Sequence, residues 1–148
     1  MLGIKLICVG RLKERFYQEA FEEYRKRLSR YCRLELCELP ECGDVEKEGA
    51  AVLAAVPPGS YAAAMCIEGE LLSSEELAAL LRRCALEGRS RLCFIIGGSE
   101  GLAPAVKERA QQRLSMSPMT FPHHLARVML SEQLYRAFTI LEGTKYHK

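Results

Sequence analysis

Apolar and polar positions along the chain follow two rhythms that take turns. Residues 3–9 (GIKLICV) form a nearly unbroken apolar run closed by Gly10, the pattern of a strand buried on both faces. Residues 14–30 then place Phe16, Tyr17, Ala20, Phe21, Tyr24 and Leu28 at helical spacing, with charges on the opposite face. Residues 33–39 (RLELCEL) alternate and predict a second strand, followed by a turn at 40–44 and a short helix over 45–56 that ends at Pro57-Pro58-Gly59. A third strand is expected over 61–67. Ser73 or Ser74 can cap the next helix, which runs to about Leu86, and Glu75 and Glu76 suit its positive end. Residues 91–96 (RLCFII) predict a fourth strand running into Gly97-Gly98-Ser99-Glu100-Gly101. After it come a short helix opened by Pro104, a short strand over 113–117, a loop over 118–124 with two prolines, and a long helix over 125–142 stopped by Gly143. Strands alternating with helices predict an α/β fold: one domain, 1–148, with a mostly parallel sheet covered by helices on both faces.

Composition narrows the class. With 49% hydrophobic and 27% charged residues over 148 positions, the chain has enough apolar material for a core, and disorder is excluded. No apolar run approaches membrane-spanning length. Arg11, Lys13, Glu14 and Arg15 follow the first strand with no small-residue cleavage site, so a secretory leader is disfavoured and a cytoplasmic location expected. The seven cysteines are odd in number and contain no C-x-x-C. Cys32, Cys37 and Cys42 have no histidine beside them, so reduced thiols are expected and no metal. Charge is unevenly spread: residues 1–100 hold 14 Lys/Arg and 16 Asp/Glu, residues 101–148 hold 7 and 3 together with all three histidines. A basic final third is the side on which a polyanion would bind, although such a segment is often only a solvated face.

Ligands of open α/β sheets bind beyond the C-terminal ends of strands. The turn 97–101 has glycine at three of five positions and reads equally as a ligand cradle or as a plain strand-to-helix turn. It is neither G-x-G-x-x-G nor a P-loop, which argues against dinucleotide binding and NTP hydrolysis. The loop 117–124 mixes apolar side chains with hydroxyls between stiffening prolines. It suits an adenine or a thioether, or serves as a rigid connector in which His123 or His124 caps the next helix. That helix is expected to carry Arg127, Ser131, Glu132 and Arg136 on its polar side, with Glu132 and Arg136 spaced to pair. Its other face (Leu125, Val128, Met129, Leu134, Tyr135, Phe138, Leu141) can fill a core and also a subunit contact. The tail Thr144-Lys145-Tyr146-His147-Lys148 has groups able to stack on a base and meet phosphate, but by composition reads as a frayed terminus.

Taken together, FIIGGSEGL, LSMSPMTFPHHLARVMLSEQLYRAF, the terminal KYHK and the opening IKLICVGRLKERFYQEAFEEYRKRL resemble the RlmH family within the SPOUT class of methyltransferases. The resemblance spans the whole chain and rests on the combination of its pieces. It implies a C-terminal trefoil knot, a homodimer, and methylation of N3 of a pseudouridine in 23S ribosomal RNA with S-adenosylmethionine. Position by position it implies that Met65, Gly97, Met116, Ser117, Pro118, Met119, Thr120 and Phe121 hold the cofactor. It places His123, Arg127, Glu132 and Lys148 on the RNA, with Arg136, Tyr146 and His147 as the catalytic set. Within that reading Arg127 or Arg136 holds phosphate or a base carbonyl, Tyr146 or His147 stacks on or orients the base, and His147 takes the proton directly or through water. One subunit's tail is expected to complete the other's site. Three departures stand out: residues 40–45 are shorter than is usual, Pro118 replaces a lysine or small residue, and His124 is unusual and receives no role. Glu100 is not fixed in the family and is not taken as the base. Alternatives are a SPOUT-type enzyme acting on another RNA such as transfer RNA, and a non-catalytic ribosome-binding relative.

Overall fold

In the first strand successive side chains enter two different cores. The computed structural model describes residues 1–148. In β1 (Leu2–Val9), Ile4, Leu6 and Cys8 join one buried cluster while Ile7 and Val9 join another. Such a strand needs helices over both faces. The remaining elements are α1 (Arg15–Leu28), β2 (Cys32–Leu39), α2 (Val45–Ala55), β3 (Tyr61–Leu71), α3 (Ser74–Leu86), β4 (Arg91–Ile96), α4 (Pro104–Arg109), β5 (Gln112–Ser115) and α5 (His123–Glu142). The five strands lie in the order β2-β1-β4-β3-β5, and every neighbouring pair is parallel. Helices α1, α3 and α5 cover one face through Phe21, Leu28, Leu81, Leu134 and Phe138. Helices α2 and α4 cover the other through Val52 and Val106. The expected α/β sheet is thus present, and it is entirely parallel. No helix is long and apolar enough to cross a membrane.

Local chemistry fixes several boundaries. Ser73 caps α3 in a complete capping box, accepting from the Glu76 amide while the Glu76 carboxylate accepts from the Ser73 amide. Asp44 caps α2 by accepting from the amides of Glu46 and Lys47. Gly143 ends α5 in a left-handed conformation, φ 76°.

Three expectations are corrected. Strand β3 runs to Leu71, beyond residue 67, because its register against β5 slips: Met65 pairs with Leu114, and so does Glu70. Gly69 makes the slip possible, since a Cβ there would fall 2.7 Å from the backbone nitrogen of Leu114. Helix α5 starts at His123 and has no side-chain cap, so neither histidine caps it. Its face is also rotated from the expected one: Arg127 and Ser131 are buried while Leu141 is exposed, because α5 packs against the sheet and both α1 and α3.

Candidate active site

The site is built at the register slip of β3 and where β4 and β5 end. These segments and the connections that follow β4 and β5 enclose a cleft of about 670 Å³. Met65, just before the slip, and Ile96, at the end of β4, form its floor, the 97–101 turn one wall, and the 115–122 loop another. An adjoining chamber of about 310 Å³ opens past Met65, Met116 and Phe121 toward Ser73, Ser74, Met129 and Gln133. Of the positions assigned to the cofactor, Met65, Gly97, Met116, Ser117, Met119, Thr120 and Phe121 all line the cleft. Pro118 is exposed and does not.

Two serines shape the loop. The Ser115 hydroxyl, buried, donates to the Ser117 carbonyl (3.0 Å) and accepts from the Ser117 amide (3.3 Å). The Ser117 hydroxyl in turn accepts from the Met119 amide at 2.9 Å. These bonds and the prolines hold the loop open, leaving Met119 72% exposed. The glycines of the turn serve its own packing. A Cβ on Gly97 would lie 2.7 Å from the Gly101 backbone, Gly98 and Gly101 form an isolated bridge, and Gly101 is left-handed at φ 79°.

Charged groups stand at both ends of the cleft. Lys107 on α4 donates to Glu68 in the bulge of β3, and chiefly this bond holds the Glu68 carboxyl below its usual range. At the other end Glu41, from the β2–α2 connection, accepts from the amide and hydroxyl of Ser99 and faces His123 Nε2 at 3.6 Å. The Ser99 amide chiefly holds Glu41 below the ordinary carboxyl range. Burial depresses His123, with the neighbouring charges of His124 and Arg127 adding to it. Glu41 was missed in the sequence because nothing local marks it; only the fold brings the 40–44 turn beside the glycines.

The tail is not frayed. The Tyr146 hydroxyl donates to Glu132 (2.7 Å), Arg136 donates to the same carboxylate (2.6 Å), and the Arg136 guanidinium lies 4.8 Å from the Tyr146 ring centre. His147 stands between Arg136 (Nδ1, 3.1 Å) and Glu75 at the start of α3 (Nε2, 2.7 Å). Arginine can only donate, so Nδ1 accepts, and Nε2 carries the proton given to Glu75. Burial raises Glu132, but hydrogen bonds from Arg136 and Tyr146 outweigh it and leave the carboxyl low. Tyr146 is pushed well above the usual phenol range by burial and by Glu132. The expected group Glu132, Arg136, Tyr146 and His147 therefore assembles, but none of the four lines the cleft of its own chain. Lys148 is exposed beside them.

Arg127 is a correction. It is 1% exposed, donates to Glu38 and to the Gly10 carbonyl (3.0 Å), and lies over the Phe21 ring. Such an arginine ties α5 to the ends of β1 and β2 and is out of reach of a phosphate.

The family model described as "Predicted SPOUT methyltransferase" matches residues 2–147. The chain belongs to the SPOUT methyltransferase family. As a SPOUT member it is a methyltransferase with S-adenosylmethionine as methyl donor, and its fold carries the trefoil knot. Curated relatives are similar over their full length. A ribosomal RNA large subunit methyltransferase H of Clostridium botulinum (strain Eklund 17B / Type B) is 44% identical, over 99% of this chain and 100% of its own. The protein of the same name from Caldicellulosiruptor saccharolyticus is 46% identical, over 98% and 99%. Among solved structures, a probable methylase family protein from Haemophilus influenzae Rd KW20 shares the fold at a TM-score of 0.61 and 14% identity, over 100% of this chain and 72% of that one. The SpoU methyltransferase AviRb from Streptomyces viridochromogenes, solved with AdoMet, aligns at a TM-score of 0.50 and 11% identity, over 96% and 59%.

The cleft suits this cofactor. Its wall at Gly97 and Gly98 is bare backbone, its thioether and aromatic side chains match an adenine and a sulfonium, and Lys107 and Glu68 offer opposite charges for a zwitterionic tail.

Proposed function

We propose that this SPOUT methyltransferase acts on large-subunit ribosomal RNA, methylating N3 of a pseudouridine in the 23S molecule. We further propose that it works in the cytoplasm as a homodimer. The observation that carries this reading is the separation of two assembled groups. Met65, Gly97, Met116, Ser117, Met119, Thr120 and Phe121 share one cleft, while Arg136, Tyr146 and His147 gather around Glu132 outside it. Relatives similar along the whole chain, each a ribosomal RNA large subunit methyltransferase H, supply the substrate class.

When bound, S-adenosylmethionine supplies an electrophilic methyl on sulfur. The chain has to bring a ring nitrogen in line with it, stabilise charge as the N–H proton leaves, and accept that proton. Met116 and Phe121 flank the place where an adenine would stack, and Ser117 and Thr120 offer polar contacts beside it. Arg136 can neutralise charge building on a base carbonyl, and the Tyr146 ring offers a stacking face. In the single chain Nδ1 of His147 accepts from Arg136 and Nε2 carries a proton donated to the exposed Glu75, so its role as proton acceptor requires release of Nδ1 from Arg136. Arg136 turning to a base carbonyl would accomplish this. Because these groups are absent from their own chain's cleft, the partner's tail is the one that completes each site. His123 and Lys148 then face the RNA, at the cleft and on the tail.

Mass spectrometry of 23S ribosomal RNA from a deletion strain, with and without the protein restored, tests the proposal. Loss and return of one methyl on a pseudouridine is the expected result. An unchanged 23S pattern with a lost methyl in transfer RNA would replace the substrate.

A further inference from the structure

We propose that Glu41 is a positioning residue. It holds the 97–101 turn in the shape that the cofactor cleft requires and sets that turn against His123. This rests on the reading of the cleft as the S-adenosylmethionine site.

The strand order explains why a side chain is needed there. Strands β1 and β4 are neighbours, but the chain leaves β1 toward β2 along the α1 face and leaves β4 toward β5 along the α4 face. The two connections diverge and open a crevice beyond Val9 and Ile96, the place where parallel α/β sheets commonly take ligands. Here the crevice is closed from within. Glu41 reaches into it from the β2–α2 connection, and two glycines leave room for it. A Cβ on Gly98 would fall 2.5 Å from one carboxylate oxygen, and a Cβ on Gly10, left-handed at φ 101°, would fall 3.2 Å from the other.

One carboxylate oxygen accepts from the Ser99 amide at 2.7 Å and the Ser99 hydroxyl at 3.0 Å. The other faces His123 Nε2 at 3.6 Å, a buried nitrogen that has no hydrogen-bond partner. No other side chain hydrogen-bonds the turn; its remaining tie is the Gly98–Gly101 bridge. A segment with three glycines has unusual freedom to lose on binding, and fixing it beforehand raises affinity by lowering that cost. Gly97, Gly98, Ser99 and His123 all line the cleft, so one carboxylate sets two of its walls.

The test compares Glu41→Ala, Glu41→Gln and Ser99→Ala with the wild-type protein. It uses calorimetry with S-adenosylmethionine, thermal melting, and methylation kinetics at varied cofactor. Glu41→Ala should weaken cofactor binding about 10-fold, a loss the size of one good hydrogen-bonding group, and the defect should fall on cofactor KM rather than on the rate at saturation. Glu41→Gln keeps an oxygen that accepts both Ser99 bonds, so it should recover binding to within about 3-fold of wild type. Ser99→Ala removes only the hydroxyl bond and should cost about 3-fold, which serves if Glu41→Ala is too unstable to measure. If Glu41→Ala binds as tightly as wild type, or Glu41→Gln is no better than Glu41→Ala, the inference is overturned while the cleft keeps its cofactor. Wild-type protein that fails to bind S-adenosylmethionine overturns the reading of the cleft, and the inference with it.

Discussion

Beneath α5 the guanidinium of Arg127 is bonded to Glu38 and to the Gly10 carbonyl, and almost none of it meets solvent. Removing it strands a partly buried carboxylate and a carbonyl together. Arg127→Ala should therefore cost about 3 kcal/mol, and Arg127→Lys should recover less than half, since a lysine cannot reproduce the two-pronged contact. Urea denaturation measures both; a loss under about 0.5 kcal/mol would return Arg127 to the RNA surface. His123 makes a different prediction. Burial holds its imidazole below the ordinary 6.5, despite Glu41 and Glu14 nearby. Between that lowered value and 6.5 the unfolded chain binds more protons than the folded one, so stability falls as pH drops through 6.5 into this interval. His123→Gln should flatten that slope in denaturation curves taken from pH 7.5 to 5. An undiminished slope would assign it to other groups. Neither behaviour is visible in the spelling HHLAR, where arginine and histidine look equally available to a ligand.

At the scale of elements, the slip in β3 controls the cleft. Residues 66–69 bulge between two pairings with Leu114, and the strands on either side supply Met65 and Met116. Gly69→Ala would drive a methyl into the Leu114 backbone, which cannot yield as a flexible side chain does. A destabilisation of about 1–3 kcal/mol is expected, with weaker cofactor binding, by chemical denaturation and calorimetry. Preserved stability and affinity would show that the bulge is dispensable. Strands β1 and β4 and helix α3 were legible in the sequence because their apolar period and caps are local. The extension of β3 was not, since Ile67 and Leu71 are exposed and the pairing depends on a strand over 40 residues away. Helix α5 was found, but its face was misread: with neighbours on several sides, its buried stripe is too wide for periodicity to orient.

For the molecule as a whole, the cleft and the tail group are held apart in one chain, and the proposed function makes them half-sites of two subunits. A Met116→Arg protein, with a blocked cleft, and a His147→Ala protein should each be nearly inactive. A verified heterodimer of the two should regain about half of the wild-type dimer's activity, because one of its two composite sites is intact. No recovery in that heterodimer would place the tail's action in its own chain. The sequence by itself determined the alternation of elements, the parallel α/β class and, through motif resemblance, the family. These are set by local spacing and by short runs whose chemistry is readable in order. Only the tertiary structure decided that Arg127 is internal, that the tail is anchored by Glu132 and Glu75, and that Glu41 grips the glycine turn. Each depends on hydrogen-bonding groups brought together across 14 to 89 residues of chain, and a polar group in a sequence does not say which partner the fold will set beside it.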